Sequence, residues 1–262
     1  MKISCIQMNM RLGDPTYNIC HAEELVRRAV QQDEPDVIVL PETWNVGFFP
    51  REALDQLADE NAAATRAQFS RLARECGVNI VAGSVANKRG ERIFNTLLVF
   101  DRTGECVASY DKTHLFTPMG EQEFFTPGDH LCRFQLDGVS CAAAICYDIR
   151  FPELIRSLTL QGVDLFFLVS QWPDKRLQHL ETLTAARAIE NQMFLALCNS
   201  CGTAGETHYA GHSAILDPWG AALCRAGEGE EIISADCDFS VLQSIRTSIN
   251  VFADRRSDLY NI

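Results

Sequence analysis

The sequence of 262 residues lacks any apolar run that approaches the ~20 residues needed to cross a bilayer. It also lacks an excess of positive charge, because 23 lysines and arginines stand against 35 aspartates and glutamates, a formal net charge of −12. An acidic chain of this kind repels nucleic acid and anionic membrane surfaces. Neither is therefore predicted as a partner, whereas a small molecule bound in one local pocket remains compatible with the charge.

Targeting segments, linkers and repeats are also missing. The N-terminus, MKISCIQMNM, alternates apolar and polar residues and has neither the apolar stretch nor the small-residue cleavage site of a secretory signal. Hydrophobic residues make up 47% of the chain, which is enough for a large core. We therefore expect a soluble cytoplasmic protein that folds as a single domain over residues 1–262.

Cysteine, in contrast, is abundant, with eleven in the chain. In the cytoplasm these thiols should stay reduced. Most lie in apolar runs, as Cys5, Cys141 and Cys237 do, and packing explains them. Cys198 and Cys201 form a lone C-x-x-C with no second pair and no nearby histidine pair, so they do not predict a zinc site.

Ten short runs rich in apolar and β-branched residues predict strands. They lie at residues 2–9, 35–42, 78–85, 92–100, 106–112, 139–148, 163–171, 193–199, 212–218 and 231–238. The sequences RTGE (102–105) and DPWG (217–220) predict hairpin turns between strands.

Helical spacing of apolar residues predicts helices over residues 17–32, 53–75 and 175–192. Pro152 and Gly162 are placed to begin and end a further helix. The buried face of the 175–192 helix is predicted to consist of Leu177, Leu180, Leu183, Ala186 and Ile189.

The order of these elements mixes strand–helix–strand units with hairpins, which indicates an α/β protein with mixed sheets. Some strands, such as DLFFLV at 164–169, are apolar on both faces and must be covered on both sides. A sandwich of two sheets with helices outside satisfies this requirement.

Three predicted strands end in the same way, with an ionisable residue directly after an apolar run. The residues are Glu42, Lys112 and Cys146. Ligands of α/β sheets collect at the carboxyl ends of strands, so these three side chains could meet there. Cys146 would then be a nucleophile, Glu42 its general base, and Lys112 a stabiliser of thiolate and oxyanion together with the Tyr147 backbone N–H. The spacing alone leaves other interpretations open: a loop carboxylate, a surface ion pair with Asp111, and a core cysteine.

Sequence blocks around these residues resemble a known family. VIVLPETW around Glu42, YDKTHLF around Lys112 and ICYDIRFPEL around Cys146 resemble the three signature blocks of the nitrilase superfamily, the carbon–nitrogen hydrolases, in the same order and at similar separations. LTAARAIENQMFLALCN (183–199) and GHSAILDPWG (211–220) extend the resemblance over most of the chain.

The resemblance implies a four-layer α-β-β-α sandwich with two mixed sheets and a catalytic triad of Glu42, Lys112 and Cys146. It implies neither a metal nor an organic cofactor. It also implies a homodimer or larger assembly, and we expect a C-terminal tail at about 240–262 to pack on a partner subunit. A second glutamate of the family corresponds to Glu121, with Glu123 as the alternative, and would hold Lys112 and orient the substrate amide or water.

The residues after the nucleophile favour one branch of the family. Nitrile-cleaving members have a C-W-E block, with tryptophan directly after the nucleophile. This chain has Tyr147 and Asp148 after Cys146, so an amide is expected as the substrate. Together with SQWP (170–173) they resemble the omega-amidases, which hydrolyse terminal amides of dicarboxylic monoamides such as 2-oxoglutaramate and succinamate through a thioester. Deaminated-glutathione amidases and N-carbamoyl amine hydrolases are the alternatives within the superfamily.

Several aromatic residues are candidates for the substrate pocket. Tyr147, Trp172 and Phe116 are predicted to bind substrate. Phe124 and Phe125 are further candidates for the pocket lining. The alternative for each of these aromatic residues is packing in the hydrophobic core.

Two further polar side chains lie close to these signature blocks. We expect Arg150 to pair with Asp148 in preference to binding a substrate carboxylate. His114 is expected to brace its loop; the alternative is a Cys146–His114 dyad.

Other classes of protein remain to be distinguished from a hydrolase. A catalytically silent interaction module would not need Glu42, Lys112 and Cys146 together. The ammonia-producing half of a synthetase would need a nucleotide-binding domain, and a membrane acyltransferase would need transmembrane helices. We find neither in the sequence.

Overall fold

Two mixed β-sheets lie face to face at the centre of the computed structural model, which describes residues 1–48 and 50–260. The first sheet contains β1 (Lys2–Gln7), β2 (Val37–Val39), β3 (Asp59–Glu60), β4 (Asn79–Arg89), β5 (Arg92–Phe100), β6 (Cys106–Asp111) and β15 (Glu231–Asp236). Its spatial order is β15-β1-β2-β4-β5-β6, with β3 paired to β4. The pairs β1–β2 and β2–β4 are parallel, whereas β4–β5–β6 is antiparallel.

The second sheet contains β7 (Cys132–Leu136), β8 (Val139–Ile145), β9 (Leu165–Ser170), β10 (Phe194–Asn199), β13 (Ala214–Leu216) and β14 (Ala222–Arg225). Its order is β14-β13-β10-β9-β8-β7, and the central pairs β8–β9 and β9–β10 are parallel. A separate hairpin is formed by β11 (Cys201–Ala204) and β12 (Thr207–Ala210). All ten predicted strands are present, and the two predicted turns join β5 to β6 and β13 to β14.

Helices cover the outer face of each sheet. They are α1 (Pro15–Asp33), α2 (Leu54–Leu57), α3 (Ala63–Cys76), α4 (Pro152–Thr159), α5 (Leu177–Asn191) and α6 (Val241–Ser248). Leu25 of α1 and Phe69 of α3 share a core with Ile38 of the first sheet, and Ile155 of α4 and Leu180 of α5 share another with the second sheet. The four-layer α-β-β-α sandwich is therefore confirmed.

Side chains that alternate along the strands fill the space between the sheets. Ile3 and Val37 of the first sheet belong to the same buried cluster as Phe167 and Ala196 of the second. Since successive side chains of a strand point to opposite faces, the remaining residues of each strand meet the helices. This arrangement explains why the central strands are apolar on both faces.

The prediction of one helix over residues 53–75 is wrong, because β3 divides it into α2 and α3. The Asp59 carboxylate accepts the backbone N–H of Thr65 at 2.9 Å, at the beginning of α3. Asp59 also pairs with Asn87 of β4, and Ala62 has a φ of 51°. Strand pairing and a left-handed residue both interrupt the hydrogen-bond ladder of a helix.

The predicted buried face of α5 is only partly correct: Leu180 is buried and Leu183 packs partly buried against the same core, but the prediction is wrong at Ile189. Ile189 is 50% exposed, whereas Thr184, Arg187 and Asn191 are buried. The predicted residues recur every three positions, and such a row drifts around a helix of 3.6 residues per turn. The buried polar side chains are satisfied locally; Arg187 Nε, for example, donates to the carbonyl of Ile149 at 3.1 Å.

The first part of the C-terminal region, helix α6, packs against the core of its own subunit. Leu242 and Ile245 of α6 are buried, and Leu242 belongs to the core between the sheets. Docking of the tail on a partner therefore remains a prediction for the residues after α6, of which 261–262 lie outside the described residues. Across the described part of the chain, every helix is too short or too polar to span a bilayer.

Candidate active site

The three ionisable residues at strand ends meet between the two sheets. Glu42 follows β2, Lys112 follows β6, and Cys146 follows β8 of the opposite sheet. Lys112 Nζ lies 2.8 Å from Glu42 Oε1, and both side chains are buried. The charges of Glu42 and Lys112 both act on the Cys146 thiol. The structure thus brings together a carboxylate, an ammonium and a thiol.

Glu42 is held by both sheets. A side chain at Gly83 of β4 would put its Cβ 2.0 Å from the Pro41 carbonyl oxygen, so only glycine lets β4 approach this close to the end of β2. From the second sheet, the Gln171 backbone N–H donates to Glu42 Oε2 at 2.8 Å, and Gln171 Nε2 donates to the Glu42 carbonyl at 2.6 Å. The Glu42 carboxylate is therefore rigidly oriented.

Lys112 lies between two carboxylates. Its Nζ is 2.9 Å from both Oε1 and Oε2 of Glu121, which also accepts the Phe116 backbone N–H. Glu121 is buried, whereas Glu123, in the same turn of 3₁₀ helix, is exposed. Of the two glutamates considered, the structure places Glu121 against Lys112.

Cys146 begins a turn of 3₁₀ helix, Cys146–Arg150, with a φ of 47°. A non-glycine residue in this left-handed region is strained, and such strain is common at functional sites. The buried Asp148 carboxylate stabilises the turn by accepting the Ile145 N–H at 3.0 Å and the Tyr110 hydroxyl at 2.8 Å. This anchors the turn to β6, which leads to Lys112.

His114 lies behind the same turn. Its backbone N–H donates to Asp148 Oδ1 at 3.0 Å, its Nδ1 is 2.9 Å from the same oxygen, and its ring stacks on Phe151 at 3.6 Å between centroids. These contacts are those of a loop brace. Because the Asp148 carboxylate accepts these bonds, the predicted Asp148–Arg150 pair is wrong: Arg150 contacts His179 and the Trp172 ring instead.

The electrostatics of the site favour a neutral thiol beside a charged lysine. Burial, and then the Glu42 charge, raise the pKa of Cys146 well above its ordinary value, although Lys112 opposes the shift. Burial by itself would lower the pKa of Lys112, because it disfavours the charged form. The charges of Glu42 and Glu121 raise this pKa by more, so it lies well above its ordinary value. A neutral thiol needs a base at the moment of attack, and a carboxylate is adjacent.

A partly open pocket leads to Cys146. The predicted residues Tyr147, Trp172 and Phe116 all line it. Phe124 and Phe125 do not; Phe125 is buried in a separate cluster and Phe124 packs against that cluster. The pocket is also lined by Phe48, Lys112, Met119, Arg150, Gln171, Pro173 and Arg176.

Cys198 and Cys201 lie away from this pocket. Cys198 Sγ lies 3.2 Å and 3.3 Å from the carbonyl oxygens of Ile6 and Val39, either of which can accept its single proton, and Cys201 Sγ donates to the carbonyl of Gln7. These contacts are those of packed core thiols. Within residues 1–48 and 50–260, no three His, Cys, Asp or Glu side chains are grouped so that they could hold a metal ion.

Comparison with known proteins gives the family. The sequence pattern of the family described as carbon-nitrogen hydrolase matches residues 2–247. The chain belongs to the carbon–nitrogen hydrolase family. The resemblance to the nitrilase superfamily is confirmed, and the protein is a carbon–nitrogen hydrolase.

Curated relatives and a solved structure resemble this carbon–nitrogen hydrolase over nearly all of its length. A 2-oxoglutaramate amidase of Bacillus subtilis (strain 168) is 42% identical over 258 residues, covering 98% of each chain. An omega-amidase of Danio rerio is 31% identical over 94% of this chain and 91% of its own. A mutant amidase from Nesterenkonia sp. AN1, with acrylamide added at its active site cysteine, superposes with a TM-score of 0.88 at 27% identity, covering 99% and 98% of the chains.

Two arginines of this hydrolase line the pocket without a carboxylate partner among the described residues. The Arg150 guanidinium lies 4.7 Å from the Trp172 ring centroid, and that of Arg176 lies 5.0 Å from the Phe116 ring centroid. Burial, and then the neighbouring charge of Arg176, lower the pKa of Arg150. Two guanidinium groups, the fragments that proteins most often use to bind carboxylates, therefore line one pocket with no counter-ion among the described residues.

Sequence reasoning did not single out Asn95, Gln171 or Arg176. Asn95 Nδ2 donates to Glu42 Oε1 at 2.8 Å. A usable signal was a lone buried asparagine within the apolar run RIFNTLLVF, and Gln171 lies inside the quoted SQWP. Arg176 is near the pocket because its carbonyl accepts the Trp172 indole N–H at 2.7 Å, a contact that no local pattern predicts.

Proposed function

We propose that this hydrolase is a cysteine-dependent amidase that cleaves the terminal amide of small dicarboxylic monoamides, of the 2-oxoglutaramate and succinamate type. The observation that carries the proposal is that Arg150 and Arg176 line the same pocket as Cys146 and have no carboxylate partner among the described residues. A substrate with an amide at one end and a carboxylate at the other matches this pairing of a nucleophile with cations. The curated name of the Bacillus subtilis relative supports the same substrate class.

The pocket suggests how such a substrate would lie. Its carboxylate would bind Arg150 and Arg176 at the mouth, and its short carbon chain would pass between the rings of Phe116 and Trp172. The amide carbonyl would then reach Cys146. The net charge of Glu42, Lys112 and Glu121 is −1, so this end of the pocket would repel a carboxylate and accept the neutral amide.

Acylation follows from the arrangement of the groups. Cys146 Sγ attacks the amide carbonyl carbon as its proton passes to Glu42. Lys112 and the Tyr147 backbone N–H stabilise the oxyanion. When the tetrahedral intermediate collapses, the C–N bond breaks and protonated Glu42 gives its proton to the departing nitrogen. Ammonia leaves, and the acyl group remains on sulfur as a thioester.

Deacylation uses the same base. Glu42, again ionised, takes a proton from a water molecule that attacks the thioester carbonyl. The C–S bond breaks, and the proton returns from Glu42 to Cys146 Sγ. The acid product loses its remaining proton to solvent, and the new carboxylate is then repelled by the negative charge of Glu42 and Glu121.

The test is ammonia release from 2-oxoglutaramate and succinamate by the wild type and by Cys146→Ala. Glutaramate, an N-carbamoyl amine and a simple nitrile complete the ammonia panel, and deaminated glutathione, whose amide nitrogen belongs to its cysteine, is followed by the release of cysteinylglycine. We expect rapid release from the first two and none above background from the variant. Turnover of another candidate alone would contradict the substrate class, and activity that survived in Cys146→Ala would contradict the mechanism.

We further propose that the protein works as a homodimer or larger assembly in the cytoplasm. Trp219 and Leu223 are 56% and 43% exposed, and they border an apolar groove with Val241 of α6. All eleven cysteines are free, which suits a reducing compartment. Sedimentation velocity would give the assembly state, and Trp219→Glu should shift it toward monomer; a wild type that is monomeric at micromolar concentration would refute the proposal.

A further inference from the structure

Asn95 is a buried amide inside the candidate active site. It lies on β5, is 0% exposed, and donates from Nδ2 to Glu42 Oε1 at 2.8 Å. The same nitrogen lies 3.5 Å from Glu121 Oε1. One amide nitrogen thus faces both carboxylates that bind Lys112.

The orientation of this amide follows from the charges that face it. Turned over, Asn95 would direct its carbonyl oxygen at the oxygens of Glu42 and Glu121, which accept hydrogen bonds and cannot donate them when ionised. In the observed orientation, Asn95 Oδ1 is buried with no hydrogen-bond partner. Buried acceptors are rarely left unpaired in folded proteins. Here Asn95 leaves its Oδ1 unpaired because the orientation that places its N–H on Glu42 turns Oδ1 away from any donor.

The contacts of Glu42 show what this N–H does. A carboxylate has about four lone-pair sites, two on each oxygen. Oε1 accepts from Lys112 Nζ and Asn95 Nδ2, and Oε2 accepts from the Gln171 backbone N–H. Among the described hydrogen-bond donors, three of the four sites are therefore used, and the fourth lies on Oε2.

We propose that Asn95 is a positioning residue that occupies Oε1 of Glu42 and leaves only Oε2 to receive the Cys146 proton. The proposal rests on the proposed role of Glu42 as the general base. Asn95 itself acts through Glu42 and does not touch the reacting atoms. Without it, Oε1 would have a free site at which protonation is unproductive, and the charged carboxylate would lose one hydrogen bond.

Few positive groups face Glu42. Its charged and titratable neighbours are the Lys112 ammonium, the Glu121 carboxylate, the Cys146 thiol and, through its charge effect, the Tyr209 phenol. Among these only Lys112 carries positive charge, so the Asn95 N–H is one of the two donors that occupy Oε1. Loss of that N–H opens Oε1 as a second acceptor, and transfer of the Cys146 proton to Oε2 slows.

The experiment compares Asn95→Leu with Asn87→Leu. Asn87, on the neighbouring strand β4, is also buried with an unpaired Oδ1, but it donates to Thr96 and contacts neither Glu42 nor Glu121. The first readout is the rate of Cys146 alkylation by iodoacetamide at neutral pH, quantified by mass spectrometry of the Cys146 peptide. The second is kcat and KM for succinamate, determined separately under the same conditions. Asn95→Ser, whose hydroxyl is too short to reach Glu42, replaces Asn95→Leu if the latter does not fold.

For Asn95→Leu we expect about a tenfold loss in the alkylation rate and in kcat, with KM unchanged, because proton transfer from Cys146 slows while the pocket stays intact. Asn87→Leu should keep the wild-type rates even if its melting temperature falls. A wild-type alkylation rate in folded Asn95→Leu, or an equal loss in Asn87→Leu, would overturn the proposal. If the wild type hydrolyses no amide of the panel while alkylation shows the loss, the proposed substrate fails and the role of Asn95 stands.

Discussion

Glu121 binds the ammonium of Lys112 with both carboxylate oxygens, each 2.9 Å from Nζ. Glu42 Oε1 lies 2.8 Å from the same nitrogen. The Lys112 ammonium is thus shared between Glu42 and Glu121 at nearly equal distances. This division of one cation between two carboxylates leads to the first two predictions.

Glu121→Gln is expected to lower kcat by about a hundredfold, comparable with the loss of one oxyanion donor. A glutamine offers Lys112 a single neutral oxygen, so the ammonium moves toward Glu42 and away from the oxyanion. The measurement is kcat and KM for succinamate. Glu123→Gln, at an exposed position in the same turn, is the matched control and should retain wild-type rates. A similar loss in both variants would contradict this account of Glu121.

Lys112→Met is expected to destabilise the fold by about 3–5 kcal/mol, because it leaves the buried Glu42 and Glu121 carboxylates without their cation. Urea unfolding gives the free energy. The control is Lys88→Met, which removes a more exposed ion pair with Asp55 and should cost less than about 1 kcal/mol. Similar losses in the two variants would show that burial of the Lys112 ion pairs does not increase their contribution to the free energy of unfolding.

Arg150→Leu is expected to raise KM for succinamate by about ten- to a hundredfold, since a charge-assisted hydrogen bond to the substrate carboxylate is lost. A neutral amide of similar length, butanamide, has no carboxylate and should be hydrolysed as well by the variant as by the wild type. Arg133→Leu removes an exposed arginine of β7 and serves as the control. An equal effect on both substrates would argue against Arg150 as the anion site.

Stability is expected to fall at alkaline pH. Burial raises the pKa of Cys132 to about 12 from an ordinary value of 9.0, so the folded protein keeps a proton that the unfolded chain releases. The stabilisation is complete below pH 9 and is lost as the pH rises toward 12, at about 1.4 kcal/mol per pH unit for one such thiol.

Urea unfolding between pH 8 and 10.5 measures this slope. Cys132→Ala should make it shallower, whereas Cys20→Ala, at an exposed cysteine, is the control. An identical slope in the wild type and Cys132→Ala would rule out the contribution of Cys132.

Local patterns in the sequence identified much of the fold. Period-two and fully apolar runs marked ten strands, because a strand between two layers must be apolar wherever it is covered. The interruption at Asp59 was missed because it depends on pairing with Asn87 of β4, which is distant in sequence. The buried face of α5 was misjudged because its polar residues are satisfied by partners such as the carbonyl of Ile149, which belongs to another element.

The sequence by itself determined which residues end the strands, and so placed Glu42, Lys112 and Cys146 at positions where a site can form. Only the tertiary structure decided how these groups are partnered. It set Lys112 between two carboxylates, left Arg150 without Asp148, and brought Asn95 onto Glu42. The physical reason is that strand formation depends on neighbours along the chain, whereas charge and hydrogen bonding depend on distances and burial that exist only once the two sheets have packed.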